Sequence, residues 1–345
     1  MDVNYLSGSK ETFLEFLDSI GLYDKVAVLT HNDLDGLSSG LFLEKILEAR
    51  GIKVNFIQFL DIRGDMVKEV SLKLNELGIT KVFFSDLNIE SIDFEGFEEL
   101  RREKDVFLID HHPTGENLKD FKNIIKTVSE DCSGLTTFVL GKDLLDYELW
   151  GWLVCSAIFA DYAFRSEKNL KFIQSFYPEV TLENISSSVP GMNARRISSA
   201  LIYYKNDIGY VYNLVKERKI DELIEIHELI EEEVYKLVDD FSENKEYFPE
   251  KDIYFYEVKS RFDVLSYVAT LVGGAEPDKS FIFMYKTKDF VKFSGRSSNS
   301  KINMGKLMAE GVLGMPDSDG GGHIPAAAAK IPEEYVEEFK KRVLG

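Results

Sequence analysis

Four short apolar runs, each followed by a helix-length stretch, constrain this chain more than any other feature. They are "KVAVLTH" (25–31), "KVNFIQF" (53–59), "KVFFSD" (81–86) and "DVFLID" (105–110). After the first run, "GLSSGLFLEKILEARG" repeats its apolar residues at helical spacing and closes on Gly51. A further helix is expected near 65–77. Strands alternating with helices indicate βαβ units and a parallel sheet. In open sheets of that kind, ligands bind beyond the carboxyl ends of the strands. That rule sets Thr30 to Asp35, Asp86, and Asp110 to His112 along one rim.

From about 145 to 245 the spacing is helical, with long amphipathic segments. His227 lies among them and reads as a surface or half-buried helix residue. A second domain is expected from about 250, with strands at "DIYFYEV", "SFIFMYK" and "DFVKFSG", a helix at 302–311, a glycine run and a final helix in "PEEYVEEFKKRVL". The resulting division is 1–200, 201–249 as a helical connector, and 250–345. The amphipathic pattern of the connector fits either a homodimer surface or a hinge.

The 345 residues suit two domains and a sizeable core. With no apolar run long enough for a bilayer and no basic-then-apolar leader, the chain reads as soluble and cytoplasmic, without a membrane partner. Its formal charge of −19 argues against non-specific coating of a long nucleic acid, which needs a basic footprint. The two cysteines, Cys132 and Cys155, sit in no metal or redox spacing, and Cys155 reads as a small core residue.

Histidine is scarce, with five in the chain, yet "LIDHH" (108–112) sets two side by side at the end of a buried run. A lone histidine there reads as a satisfied core residue; two beside an acid do not. In "THNDLDGLSSG", His31, Asp33 and Asp35 alternate, so an extended backbone would turn all three toward one pocket. The plainer reading is that Asn32 or Asp33 caps the helix and Asp35-Gly36 makes the turn. Asp86 ends a third run. Asp161, inside the apolar "VCSAIFADYAF", needs a cation or strong donors if buried, or a pairing with Arg165. Together these groups offer imidazoles and carboxylates without thiolate, a set suited to Mn²⁺ or Mg²⁺ rather than structural zinc. They suffice for two ions sharing a bridging carboxylate, the arrangement that activates a water and clamps a phosphate.

The order "HNDLDG", "FFSD", "LIDHH", "FAD", "SGRSS" and "GGGH" resembles the DHH phosphoesterase superfamily, which includes the RecJ exonucleases and the oligoribonuclease and phosphoadenosine-phosphate phosphatase group. The resemblance implies an α/β fold: a parallel-sheet DHH domain, a helical connector and a smaller α/β DHH-associated domain. It implies two Mn²⁺ ions, with Mg²⁺ as the alternative. His31 and Asp33 would hold one ion; Asp35, His111 and Asp161 the other; Asp86 would bridge them. His112 would sit near the scissile phosphate and Asp110 would orient a histidine. In the second domain, "FSGRSS" and "SDGGGHIPAAAAKIP" would hold the substrate through Arg296, Gly321, Gly322 and His323, with a phosphate contact by Arg296 and close backbone approach at the glycines. Surface arginine and flexible loop are the plainer readings of these two motifs.

The first motif is nearer to the RecJ type, with His31 where an acid often stands. No appended oligonucleotide-binding domain is recognisable. The expected function is a Mn²⁺-dependent phosphoesterase that removes nucleoside monophosphates from an end of single-stranded or short nucleic acid, as a RecJ-like exonuclease or nanoRNase. The alternatives are a phosphodiesterase or phosphatase of a small nucleotide (cyclic dinucleotide or phosphoadenosine phosphate) and a non-catalytic replication scaffold.

Overall fold

Each of the four apolar runs is a strand in the computed structural model, which describes residues 2–61, 65–113, 118 and 121–345. The chain divides into two units, Met1–His227 and Glu228–Gly345. The first unit contains β1 (Tyr5–Ser7), β2 (Val26–His31), β3 (Val54–Leu60), β4 (Lys81–Ser85), β5 (Asp105–Asp110) and β6 (Ile124–Thr127) in one sheet, ordered β1-β6-β5-β4-β2-β3. β2 to β6 run parallel, and β1 pairs antiparallel with β6.

Alternate side chains of these strands enter two different cores. Val26, Val28, Phe83, Phe107 and Ile109 join one; Ala27, Leu29, Val82, Phe84, Val106 and Leu108 join the other. A sheet covered on both faces needs apolar residues at every position, so the runs read as continuous rather than alternating. Helices Lys10–Asp18, Leu34–Ala49, Ser133–Leu140 and Tyr147–Ala160 cover the first face. Met66–Leu77 and Phe94–Glu103 cover the second.

The strand order locates the crevice. From β2 the chain passes outward to β3, then returns across β2 to β4. The helix after β2 therefore lies on one face and the helix after β3 on the other, as right-handed crossovers require. A crevice opens at such a reversal, at the carboxyl ends of β2 and β4.

The second unit has β7 (Glu246–Phe248), β8 (Ile253–Val258), β9 (Ser280–Lys286), β10 (Val291–Ser297), β11 (Asp319–Gly322) and β12 (Ala326–Ile331), ordered β11-β12-β10-β9-β8-β7. Its pairs are antiparallel except β8 with β9. The glycine run is thus an edge strand rather than a loop. The stretch 201–249 is shared between the units: Val211, Leu214 and Val215 join the first core, and the helix Ile224–Asn244 crosses the division. His227 is buried, contrary to the surface reading. It shares a helix face with the buried Leu223, Ile230 and Val234, and its Nδ1 lies 3.1 Å from Ser199 Oγ. Among the described residues, no helix is long and apolar enough to cross a membrane.

Candidate metal centre

The rim of the first sheet gathers every acid and histidine singled out above in that unit except His227. β2 ends at His31, and Asp33 caps the helix Leu34–Ala49. Asp33 Oδ1 accepts the Gly36 N–H at 2.9 Å, while Oδ2 lies 2.9 Å from His31 Nδ1. Capping and facing the pocket are therefore done by one carboxylate. The extended spacing expected across 31, 33 and 35 does not persist, because the helix begins at Leu34. Asp35 reaches the site from the first helical turn. It is buried, and its two oxygens accept the N–H groups of Ser133 (2.7 Å) and Gly134 (2.8 Å) at the start of Ser133–Leu140. A carboxylate is favoured at that positive helix end.

Asp86 follows β4 with φ of 59°, a left-handed backbone that aspartate tolerates better than most residues. Its N–H donates to Ile109 O at 2.9 Å, which ties it to β5. The side chain is buried, and its oxygens diverge: Oδ2 is 3.6 Å from His31 Nδ1 and Oδ1 is 3.4 Å from His111 Nε2. Ser133 Oγ donates to Oδ1 at 3.2 Å. His111 Nδ1 is 3.1 Å from Ser129 O and 3.7 Å from Asp161 Oδ2. With Nδ1 donating to that carbonyl, Nε2 keeps its lone pair for the site. Asp161 is not inside its helix as expected; it follows Tyr147–Ala160 as the C-cap and is partly exposed. Tyr162 then turns left-handed, with φ of 55°. Asp110, wholly buried, accepts from His112 Nδ1 at 2.7 Å.

These groups perturb one another strongly. Burial pushes Asp35 well above the usual carboxylate range, and the charges of Asp86 and Asp161 add to it. Burial raises Asp161 to about 7 against the pull of His111. On Asp86 burial also acts upward, but hydrogen bonds to His111 and His31 outweigh it and hold the carboxyl far below the usual range. Burial opposes the charge on His31 and His111, yet their carboxylate neighbours raise both well above the ordinary imidazole value.

In each of three sets the donor atoms lie within 4.8 Å of one another: His31, Asp33 and Asp86; Asp86, His111 and His112; Asp35, Cys132 and Asp161. Asp86 belongs to two of them. Four carboxylates meet here with three imidazoles, an anionic excess that divalent cations relieve, so the donor set fits such ions. Cys132, read from the sequence as lying in no metal or redox spacing, falls within one of these sets, and Ser133 and Gly134 were not singled out in the sequence. Their place follows from the loop after β6, whose path no local spacing reveals. The Cys132 thiol is held well above its ordinary pKa by burial and by the nearby Asp35 and Asp161.

The model of the DHH family N-terminal domain matches residues 25–168, and that of the DHHA1 domain matches 253–344. The chain belongs to the DHH superfamily. A 94-residue stretch is 33% identical to the uncharacterized protein MJ0831 of Methanocaldococcus jannaschii, covering 26% of this chain and 20% of that one. The fold is similar to that of RecJ from Thermus thermophilus in complex with Mn²⁺ (TM-score 0.72, 17% identity, 97% of this chain, 53% of RecJ). It is also similar to exonuclease RecJ bound to manganese (TM-score 0.71, 18% identity, 100% of this chain and 94% of that one). The chain therefore spans about half the length of the Thermus protein and a fifth of the Methanocaldococcus relative.

In the DHHA1 unit, Arg296 lies on β10 with hydroxyls around its guanidinium. Nη1 donates to Ser294 Oγ (2.8 Å) and Gly295 O (2.9 Å), and Nη2 to Ser266 Oγ and Thr270 Oγ1 (both 3.2 Å). Gly321 and Gly322 belong to β11, and the exposed His323 follows. The N–H of His323 is already spent on Ala326 O at 2.9 Å. Gly322, at φ of 137°, adopts a backbone open to glycine, and the N-terminus of helix Met304–Val312 packs directly on its carbonyl.

In the DHH unit, Gly134 offers a direct test of the site's tolerances. A Cβ there would lie 2.9 Å from Asp35 Oδ1 and 3.2 Å from Ser38 Cβ. Gly134→Ala is expected to displace Asp35, to cost about 1–3 kcal/mol of stability, and to raise the Mn²⁺ concentration for half-maximal binding roughly tenfold or more. Calorimetric Mn²⁺ titration and a melting curve check both; an unchanged titration contradicts the role given to Asp35.

Proposed function

We propose that this chain is a two-metal phosphoesterase that removes nucleoside monophosphates from an end of short or single-stranded nucleic acid. The divergence of the two Asp86 oxygens toward His31 and His111 carries this reading. A carboxylate so placed would suit sharing between two cations. His31 and Asp33 would hold one ion with Asp86, and Asp35, His111 and Asp161 the other. Such ions lower the pKa of a water and neutralise charge on a phosphodiester.

The side chains supply the rest. Asp86, fixed by the Ser133 hydroxyl and its own tied backbone, keeps the two halves of the site in register. His112, with Nδ1 committed to Asp110, offers Nε2 to the scissile phosphate. The manganese-bound RecJ structures support Mn²⁺ as the resident ion by fold likeness. Arg296 would reach a substrate phosphate by exchanging the Ser294, Ser266 and Thr270 hydroxyls to which it now donates. The charge of −19 favours small substrates over long strands, and it supports a second reading, hydrolysis of a cyclic dinucleotide or phosphoadenosine phosphate at the same site.

Purified protein with Mn²⁺, given end-labelled RNA and DNA from dinucleotides to long single strands plus those small nucleotides, separates the readings. Mononucleotides released from an end support the proposal, and loss confined to the shortest substrates defines a nanoRNase. Absence of turnover on every substrate, with Mn²⁺ or Mg²⁺, overturns it. Arg296→Ala is expected to raise KM about 10- to 100-fold, the 1.5–3 kcal/mol of hydrogen bonds to a charged group, with a much smaller change in kcat. Initial-rate kinetics on one labelled substrate check this.

A further inference from the structure

The ammonium of Lys126, on β6, is fully buried. Burying it costs several kcal/mol unless anions and acceptors surround it closely. Here they do. Asp110 Oδ2 and Glu90 Oε1 each lie 2.5 Å from Nζ, and His112 O accepts from it at 3.4 Å. The Glu90 contact is close in distance but off the linear hydrogen-bond direction, an ion pair. The parallel register of β5 and β6 sets Asp110 beside Lys126, and Glu90 comes from the one-turn helix Ile89–Ile92 just after Asp86. The other oxygen of Asp110, Oδ1, accepts from His112 Nδ1. Glu90, Lys126, Asp110 and His112 thus form one line, closed at Glu90 and open to the site at His112.

We infer that Lys126 and Glu90 are positioning residues that act through Asp110 to hold His112 in one orientation and one tautomer. The inference rests on the phosphoesterase reading for its catalytic consequence. A carboxylate gripped through both oxygens cannot rotate. With Oδ2 ion-paired to Lys126, Asp110 meets His112 through Oδ1 as an acceptor. Nδ1 of His112 must then be the donor, which leaves Nε2 for substrate. Without Lys126, Asp110 would be a buried carboxylate with one oxygen unmatched, free to swing away from His112. Glu90 also pairs with Nζ and so resists its following such a movement. It also links this line to the loop that carries Asp86.

The test uses the full chain with Mn²⁺ and compares wild type with Lys126→Met, Glu90→Gln, Asp110→Asn and the Lys126→Met/Asp110→Asn double variant. Lys126→Met is expected to lower kcat about 10- to 100-fold, with KM and the Mn²⁺ midpoint unchanged. Added to Asp110→Asn it should cost less than about twofold more, because the two act in series. In ¹⁵N-histidine spectra, the Nδ1 proton of His112 should be present in wild type and lost or shifted in Lys126→Met. A full additive loss in the double variant, or unchanged kcat with an unchanged His112 resonance, overturns the inference. If Lys126→Met does not fold, Glu90→Gln decides: a several-fold lower kcat with a shifted His112 resonance supports the inference, and no change in either sinks it. If wild type itself turns nothing over, the phosphoesterase reading fails separately, and the His112 resonance still judges the positioning.

Discussion

Asp86→Asn is expected to lower kcat by at least about 10³-fold, in line with losing a dominant electrostatic element of a site, while far-UV circular dichroism stays that of the wild type. Asparagine keeps the shape of the side chain and is at home in the left-handed backbone at this position, where φ is 59°. Alanine would confound the result with backbone strain. What asparagine removes is the charge facing both histidines at once. His31 and His111 then lose the neighbour that helps raise their pKa values, so the metal-free form should also melt lower. Initial rates across a wide Mn²⁺ range check the main effect; activity within tenfold of wild type would remove the bridging role.

Chelation should abolish turnover altogether, and the melting curve should show why pH matters. In the metal-free fold, Asp161 is raised to about 7 and Asp35 is raised well above the usual range. A carboxyl that binds its proton more tightly when folded stabilises the fold below its unfolded pKa. That stability is lost as pH climbs from the ordinary carboxylate range toward 7. His31 and His111, also raised, lose their contribution as pH rises past their folded values. A metal ion must displace these same protons, so it binds better at higher pH. The rise in Tm caused by Mn²⁺ should therefore be larger at pH 8 than at pH 6. At a hundredfold excess over Kd the stabilisation is about 2.7 kcal/mol, roughly 5–10 °C for a unit of this size. Scanning calorimetry with and without Mn²⁺ at both pH values tests it, and an equal or smaller upshift at pH 8 would contradict the protonation states described.

The parallel sheet was legible because burial on both faces writes itself into consecutive residues: "KVAVLTH" and "KVFFSD" could hardly be anything but covered strands. The rim was legible for the same reason, since a strand's carboxyl end is a position in the sequence as well as in space. What escaped were relations set by pairing and by loop paths. Lys126 sits in "NIIKTV", an odd lysine in an apolar run; its meaning lies in the register that puts it beside Asp110. Cys132 and Gly134 meet Asp35 across nearly a hundred residues of chain, as the Gly134–Asp35 hydrogen bond attests. His227 looked half exposed because it stands between Ile226 and Glu228 in an acidic stretch, whereas the buried apolar residues on its own face are one and two turns away. The glycine run suggested a loop, because a strand without side chains carries no alternation to read; its pairing with β12 decided otherwise.

The donor groups run from His31 to Asp161 and rise from five separate segments. No stretch short enough to fold locally contains a whole set of ligands, so the centre is expected to be completed only by long-range closure of the chain. An ion bound there would tie these separate segments together, and its expected effect is to slow the loss of the native state far more than to speed its formation.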